Sequence, residues 1–231
     1  MPSTANRRSD MSTLTASPRS RPGSMFACTL LWLFFLLLGV QPVQANGFGK
    51  IFGTVAFQRP RDVFAPWLEV QSRNSASGIF SGSVPLKGGK NSSKLLSEGG
   101  ALTGMQRLRF VNSFWNSYPY ITDIKNWGKQ DYWAIPKEFV GKSGDCEDYA
   151  IVKFYTLRAL GVPSSAMRIV VLKDVVRKLA HAVLAVEEGG EIYILDNISS
   201  AIVPHSRLTQ YVPAYSLNEE KAWVHLKGRA K

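Results

Sequence analysis

Apolar and polar positions repeat with a helical period in the middle of the chain. Between Leu102 and Trp115 the apolar residues recur three to four positions apart, which predicts an amphipathic helix over residues 101–117. Residues 118–140 are instead rich in Pro, Asp and aromatic side chains. We expect them to form a long aromatic-lined loop with one short helical turn.

A second helix is expected to begin at Cys146. Asp145 is a favourable N-cap residue, and Asp148 adds a negative charge to the first turn, where the helix dipole favours it. The helical pattern runs to Leu160, and Gly161 then supplies a C-terminal cap. The sequence therefore places the cysteine at the N-terminus of a helix.

Runs rich in β-branched residues follow this helix. They predict strands over residues 168–172, 181–187 and 191–197, with a glycine turn at 188–190 joining the last two. Two shorter strands are expected at 202–204 and 221–226. Helices followed by antiparallel strands indicate the α+β fold class.

The N-terminal part of the chain has a different composition. Residues 46–100 are rich in Ser, Gly and Asn, and we expect a loosely structured arm with one or two short helices. The remaining 101–231 would form the main domain. No internal repeat is evident.

Residues 1–45 resemble an export signal. Four arginines precede an uncharged run over 25–40, and Val43-x-Ala45 is a small-residue cleavage pattern. We expect a signal peptide over 1–45 and a periplasmic protein. The rival is an uncleaved inner-membrane anchor, although 16 residues are few for a span. Met25 is an alternative start.

The charge balance sets limits on partners. Residues 1–45 hold four Arg and one Asp, a net +3 of the chain's +11, so the remainder carries +8. A basic balance of this size suits an anionic surface or solubility. No basic run is interleaved with aromatics, so no nucleic-acid partner is expected. We take a monomer as the default state.

One cysteine remains after removal of the signal. Cys28 lies within it, so Cys146 has no partner for a disulfide and is either a buried, inert residue or a reactive thiol. Its acidic neighbours Asp145 and Glu147 should make the thiol less acidic, whereas a helix N-terminus stabilises a thiolate.

A nucleophilic cysteine needs a base and a group that orients the base. Of the three histidines, His181 lies on a predicted strand, and the strand paired with it carries Asp196. A turn at 188–189 would place the two directly opposite, and one centred on 189–190 would make them diagonal neighbours. A register slip would favour Asn197 as the orienting residue.

These residues suggest roles in thiol catalysis. His181 would accept the thiol proton, Asp196 would orient the imidazole, and the Cys146 N–H would be a first oxyanion donor. Our hypothesis for the second oxyanion donor is Trp133 or another group of the preceding loop. The alternative is a buried cysteine and a structural histidine. The other histidines, His205 and His225, are expected to be structural or exposed.

Three groups of residues together resemble a known family. They are Asp131-Tyr132-Trp133-Ala134 with Pro136 and Glu138-Phe139; Gly144-Asp145-Cys146-Glu147-Asp148-Tyr149-Ala150 with the following helix to Pro163; and His181-Ala182-Val183-Leu184 with Leu195-Asp196-Asn197. This pattern, which spans about residues 108–226, resembles the bacterial transglutaminase-like cysteine proteinases. The N-terminal arm carries little of it.

The resemblance implies a papain-like, transglutaminase-like core and a Cys146–His181–Asp196 triad. It implies a periplasmic endopeptidase that cleaves a large surface adhesin near an alanine pair, releases the adhesin and disperses biofilm. Members of the family are sequestered by an inner-membrane receptor for cyclic di-GMP. A transglutaminase-type acyl transferase and a non-catalytic binding module remain open as alternatives.

The resemblance also implies calcium, bound by the acidic residues around the cysteine: Asp145, Glu147 and Asp148. Carboxylate oxygens suit Ca²⁺, and a bound dication would offset the charges that otherwise raise the thiol pKa. From the residues alone, acidic side chains in the first turn of a helix are sufficiently explained by the helix dipole.

Overall fold

An antiparallel sheet organises residues 47–227, the part of the chain that this computed structural model describes. Within that part the sheet has seven strands in the order β1-β7-β6-β2-β3-β4-β5. The strands are β1 (Thr54–Arg59), β2 (Met167–Asp174), β3 (Leu179–Glu188), β4 (Glu191–Leu195), β5 (Val203–Pro204), β6 (Tyr211–Leu217) and β7 (Ala222–Lys227). Helices before β2 and antiparallel strands after it confirm the α+β fold class.

The helices precede most of the sheet. They are α1 (Ala65–Ser77), α2 (Ser92–Gly100), α3 (Gly104–Asn116), α4 (Asp123–Trp127), α5 (Pro136–Lys142) and α6 (Cys146–Ala159). Helix α3 confirms the helix predicted over 101–117, and α6 begins at the predicted cysteine. The expected loop over 118–140 contains α4 and the start of α5, so it holds more helix than one turn.

Helix α6 packs against the sheet through an almost continuous buried surface. Phe154 and Leu157 are fully buried beside Leu184 and Val186 of β3, in the main core. Burial of each large apolar side chain contributes roughly 1.5–3 kcal/mol. This packing fixes the axis of α6, and with it the position of Cys146 at its first turn.

A second, smaller apolar cluster includes residues of the same strands. It contains Val183 of β3 and Ile194 of β4, together with Phe48, which precedes β1, and Tyr211 of β6. On β3, Val183 belongs to this cluster and Leu184 to the main core, as the alternation of side chains along a strand requires. The sheet is therefore buried on both faces.

The N-terminal segment differs from the loosely structured arm expected over 46–100. Strand β1 pairs with β7 at the edge of the sheet. Trp67, Val70 and Leu95 are fully buried in the main core, and the Trp67 indole donates a hydrogen bond of 2.8 Å to the Asn218 carbonyl. The expectation of a loose arm rested on the Ser, Gly and Asn content and gave too little weight to these few large apolar side chains.

The β-hairpin that carries the candidate residues is close to the prediction. The register pairs Leu184 with Leu195, and the turn falls on Gly189 and Gly190, whose φ angles of 62° and 84° suit glycine. Strand β4 ends at Leu195, so Asp196 lies one residue beyond the strand instead of within it. Strands β1 and β6 were not predicted.

The predicted signal peptide over 1–45 lies outside the described residues. Among residues 47–227, no helix combines the length and the apolar character that crossing a bilayer requires.

Candidate active site

Cys146 lies at the first turn of α6, where two cavities of about 370 and 530 Å³ share part of their lining. Both are lined by Cys146 and His181, together with Tyr120 and Ala180. The hairpin β3–β4 thus brings His181 to the cleft that the cysteine occupies. These two residues, 35 positions apart in the sequence, therefore line the same cleft.

The environment of the thiol disfavours its ionisation. Burial raises the pKa of Cys146, and the charges of Glu147 and Asp145 raise it further. The sulfur lies 3.2 Å from Glu147 Oε2, in the geometry of a thiol that donates to a carboxylate. A hydrogen bond from the Ala182 backbone acts in the opposite direction and lowers the pKa. The acidic flanks therefore have the effect that the sequence indicated.

His181 and Asp196 form a buried pair. His181 Nε2 lies 3.0 Å from Asp196 Oδ1, and both side chains are over 90% buried. The β3–β4 register makes the two residues diagonal neighbours, which was one of the two geometries expected. Asn197 lines the second cavity, and in this register Asp196 contacts the imidazole.

The protonation of this pair follows from its surroundings. Burial opposes ionisation of Asp196, but the hydrogen bond and charge of His181 outweigh it, helped by donors from Ile198 and Tyr211, and the pKa of Asp196 is lowered. An ionised carboxylate only accepts hydrogen bonds. His181 Nε2 must therefore carry the proton, which leaves Nδ1 as the basic nitrogen.

The other histidines have structural contacts. His205 Nδ1 accepts a hydrogen bond from the Phe52 backbone N–H at 3.0 Å. His225 is buried between the hydroxyls of Thr54 and Ser216, at 3.0 and 2.8 Å. Both lie away from the residues that line the cleft.

Trp133 lines the first cavity but its polar atom is already engaged. The indole Nε1 donates to Asp131 Oδ1 at 3.1 Å. The role of Trp133 as a second oxyanion donor remains a prediction. The indole could donate to an oxyanion only after its hydrogen bond to Asp131 is broken.

An acidic cluster lies directly against the cysteine. Its ligand atoms fall into three groups, each within 4.8 Å: Asp145, Cys146 and Glu147; Asp123, Asp131 and Glu147; and Asp123, Asp145 and Asp148. The three carboxylates expected from the sequence are thus joined by Asp123 and Asp131. These two come from the loop over 118–140, and no spacing rule connected them with the cysteine.

The carboxylates of this cluster are buried beside one another. Burial raises the pKa of Asp123 to about 6 and that of Glu147 to about 10, and like charges nearby add to both shifts. Burial also raises the pKa of Asp145. Asp123 Oδ1 and Asp145 Oδ1 are buried and have no hydrogen-bond partner among the described residues. Hard, unsatisfied oxygens in a group of this kind fit a Ca²⁺ ion.

Asp148 has a second role at the helix terminus. Its carboxylate accepts from the Ala134 backbone N–H at 2.7 Å and from the Asp145 N–H at 3.2 Å. The residue therefore caps α6 and anchors the preceding loop. It is fully buried, and burial raises its pKa well above the ordinary value.

Comparisons with known proteins show the family of the chain. The model of the bacterial transglutaminase-like cysteine proteinase (BTLCP) family matches residues 93–231, more than half of the chain. No curated protein sequence matches.

Among solved structures, Legionella pneumophila LapG is 34% identical, with a TM-score of 0.45 over 57% of this chain and 86% of that one. Its calcium-bound form gives 34% identity and a TM-score of 0.46 over 60% and 90%. An EGTA-treated form of LapG gives 34% identity and a TM-score of 0.46 over 60% and 87%.

Proposed function

Because the chain belongs to the bacterial transglutaminase-like cysteine proteinase family, we propose that it is a calcium-dependent endopeptidase whose catalytic residues are Cys146, His181 and Asp196. One observation carries the assignment of residues. His181 lines the same cleft as Cys146, the first residue of α6, and forms a buried hydrogen bond of 3.0 Å with Asp196 behind it. A nucleophile, a base and an orienting carboxylate together form the arrangement of a thiol hydrolase.

The proposed reaction begins at the thiol. His181 Nδ1 accepts the proton of Cys146, and the thiolate attacks the carbonyl carbon of the scissile peptide bond. The Cys146 backbone N–H lies at the first position of α6, where the helix itself offers no acceptor, and donates to the oxyanion. The imidazolium then protonates the leaving amine, and the C–N bond breaks to give a thioester. Water, deprotonated by His181, hydrolyses the thioester and restores the thiol.

Asp196 supports both proton transfers. Its carboxylate accepts from Nε2, which keeps the basic Nδ1 available and stabilises the imidazolium. Because the pair is buried, its electrostatic interaction is stronger than it would be in water.

The acidic cluster would hold the calcium ion. The residues that fit are Asp123, Asp131, Asp145, Glu147 and Asp148. When bound, the ion would supply positive charge that offsets the carboxylates raising the thiol pKa. The unpaired buried oxygens of Asp123 and Asp145 support this proposal, and the calcium-bound form of LapG is consistent with it.

We also propose a biological setting. The protein would be exported to the periplasm and would cleave the N-terminal region of a large surface adhesin near an alanine pair, which releases the adhesin and disperses biofilm. An inner-membrane receptor for cyclic di-GMP would sequester it. Family membership and the signal-like residues 1–45 support this setting. We propose a monomer without a nucleic-acid partner.

The test is a cleavage assay with three arms. The purified protein is incubated with the N-terminal fragment of a large adhesin from the same genome, in calcium, in chelator, and as the Cys146→Ala variant. Cleavage that requires both calcium and Cys146 supports the proposal. Mass spectrometry of the new ends distinguishes hydrolysis from acyl transfer, because transfer leaves an amine on the new carboxyl group.

Two results would contradict parts of the proposal. Cleavage that survives chelation would assign the acidic cluster to helix capping alone. If the wild-type protein binds the adhesin fragment without cleaving it, and Cys146→Ala binds it equally well, the protein is a binding module.

A further inference from the structure

The Asp196 carboxylate has a partner on each oxygen. Oδ1 accepts from His181 and from the Ile198 backbone N–H, each at 3.0 Å. Oδ2 accepts from the hydroxyl of Tyr211 at 2.6 Å. The tyrosine is 5% exposed, so the donor and acceptor are both shielded from water. A short hydrogen bond to a buried charged oxygen is among the stronger kinds in proteins.

The same tyrosine also contacts the histidine. The rings of Tyr211 and His181 pack edge to face, with centroids 5.7 Å apart and planes at 61°. The ring therefore limits rotation of the imidazole while the hydroxyl holds its carboxylate. One side chain contacts both members of the pair.

The order of the strands brings Tyr211 to the His181–Asp196 pair. It lies on β6, and β2 separates β6 from β3, which carries His181. Tyr211 pairs in register with Asp174 on β2. Asp196 is also anchored from the helices, because Asn116 of α3 donates to its main-chain carbonyl at 2.8 Å. With the main chain fixed, the Tyr211 hydroxyl holds Oδ2 while His181 and the Ile198 N–H hold Oδ1, so that the rotation of the carboxylate depends in part on Tyr211.

We propose that Tyr211 is a positioning residue for the catalytic reaction: its hydroxyl orients Asp196, and its ring orients His181 so that Nδ1 is presented to the cysteine. The inference rests on the proposed function of the triad. Tyr211 does not contact the reacting atoms, and it acts through the other two residues. A phenylalanine would fill the same space but would leave Asp196 Oδ2 without this donor.

The test compares Tyr211→Phe with Tyr193→Phe. Tyr193 is a half-buried tyrosine of β4 that packs against the main core, so its variant controls for loss of one hydroxyl from the sheet. Three measurements are made in calcium: steady-state kinetics with the adhesin fragment (kcat and KM), the rate of Cys146 alkylation by iodoacetamide at one fixed pH, and the histidine tautomer by ¹⁵N NMR. With three histidines in the sequence, His181→Gln identifies the His181 signal.

The wild-type protein should show His181 with the proton on Nε2. In Tyr211→Phe we expect a mixture of tautomers, a fall of about tenfold in kcat with KM unchanged within about twofold, and alkylation slower by a similar factor. Tyr193→Phe should match wild type in all three. In an Asp196→Asn background, Tyr211→Phe should have no further effect on alkylation, because it acts through that carboxylate.

Wild-type tautomer and alkylation in Tyr211→Phe would overturn the inference, as would an additive effect in the Asp196→Asn background. Failure of the proposed substrate is distinguishable. If wild type does not cleave the adhesin fragment, the tautomer and alkylation measurements still decide the role of Tyr211.

Discussion

Arg73 of α1 donates a hydrogen bond of 2.6 Å to the backbone carbonyl of Trp133, in the loop that leads to the cysteine. The same guanidinium reaches the Tyr132 hydroxyl at 2.8 Å and Glu138 Oε2 at 2.6 Å. One arginine from the N-terminal segment thus contacts three residues of the segment 118–140. The segment that the sequence presented as a loose arm is part of the site's support.

Replacement of Arg73 by Met should loosen this loop. We expect a loss of about 2 kcal/mol in the free energy of unfolding, since several charged hydrogen bonds disappear from a partly buried position. Cleavage activity should fall as well, because Trp133 lines the cleft. Urea denaturation and the cleavage assay measure the two effects. Arg59→Met, on the exposed side of β1, is the control and should change neither by much. Equal stability of the two variants would contradict the role of Arg73.

Calcium should stabilise the folded protein through the acidic cluster. At a concentration about 100 times Kd, one site adds about 2.7 kcal/mol, and a thermal-shift measurement would show a rise in Tm. Asp123→Asn should abolish most of this rise, because Asp123 belongs to two of the three ligand groups and one of its buried oxygens has no hydrogen-bond partner among residues 47–227. Asp62→Asn, at an exposed aspartate, should retain it. If calcium raises the Tm of Asp123→Asn as much as that of wild type, Asp123 is not a calcium ligand.

Calcium affinity should weaken as the pH falls. The pKa of Asp123 without metal is raised to about 6, so protons compete with the ion below that pH. Binding at neutral pH should also release protons from Glu147, whose pKa is raised to about 10. Isothermal titration calorimetry in buffers of different ionisation enthalpy measures this release. Binding without proton release would show that a charged cluster already exists in the free protein.

Calcium should make Cys146 more reactive. The charges of Glu147 and Asp145 raise the thiol pKa, and a bound dication offsets them. A shift of one pKa unit changes the thiolate fraction about tenfold, so alkylation by iodoacetamide should slow by about that factor in chelator. Asp123→Asn should be slow in both conditions. If alkylation has the same rate with and without calcium, the metal does not affect the pKa of the Cys146 thiol.

Lys153 should reduce stability at neutral pH. Its side chain is fully buried on α6, and Nζ has no hydrogen-bond partner among residues 47–227. Burial lowers its pKa from 10.5 to about 7, although the charge of Asp196 acts in the opposite direction. Between these values the unfolded chain binds a proton that the folded protein lacks. Wild-type stability should therefore rise with pH across the window, relative to Lys153→Met.

Urea denaturation of both proteins at each end of that window measures the difference. Lys94→Met, at an exposed lysine of α2, should run parallel to wild type. A stability difference between wild type and Lys153→Met that does not change with pH would show that the lysine stays charged in the fold.

Local signals explain which parts of the fold could be anticipated. The helix that starts at Cys146 was evident because its N-cap, its acidic first turn and the glycine after it are all sequence neighbours. The β3–β4 hairpin was evident because two consecutive glycines separate two runs rich in β-branched residues. In the structure both glycines adopt positive φ. The diagonal placement of His181 and Asp196 follows from that short turn.

Other elements depended on contacts across the chain. Strand β1 forms by pairing with β7, about 170 residues further along, and its own residues carry weak strand signals. Residues 46–100 appeared loose by composition, yet Trp67 and Leu95 anchor them in the main core. A few large buried side chains outweigh many small polar ones, because burial energy scales with apolar area.

Periodicity, helix caps and a two-residue turn are local signals, and they predicted the fold class, the cysteine at a helix N-terminus and the nearness of His181 to Asp196. Tertiary contacts alone bring further residues around them: Asp123 and Asp131 beside the cysteine, Arg73 on the loop, and Tyr211 on the Asp196 carboxylate. Those contacts join strands and loops that are distant in sequence. The packing of α6 and the order of the strands create them, and no local pattern encodes that packing.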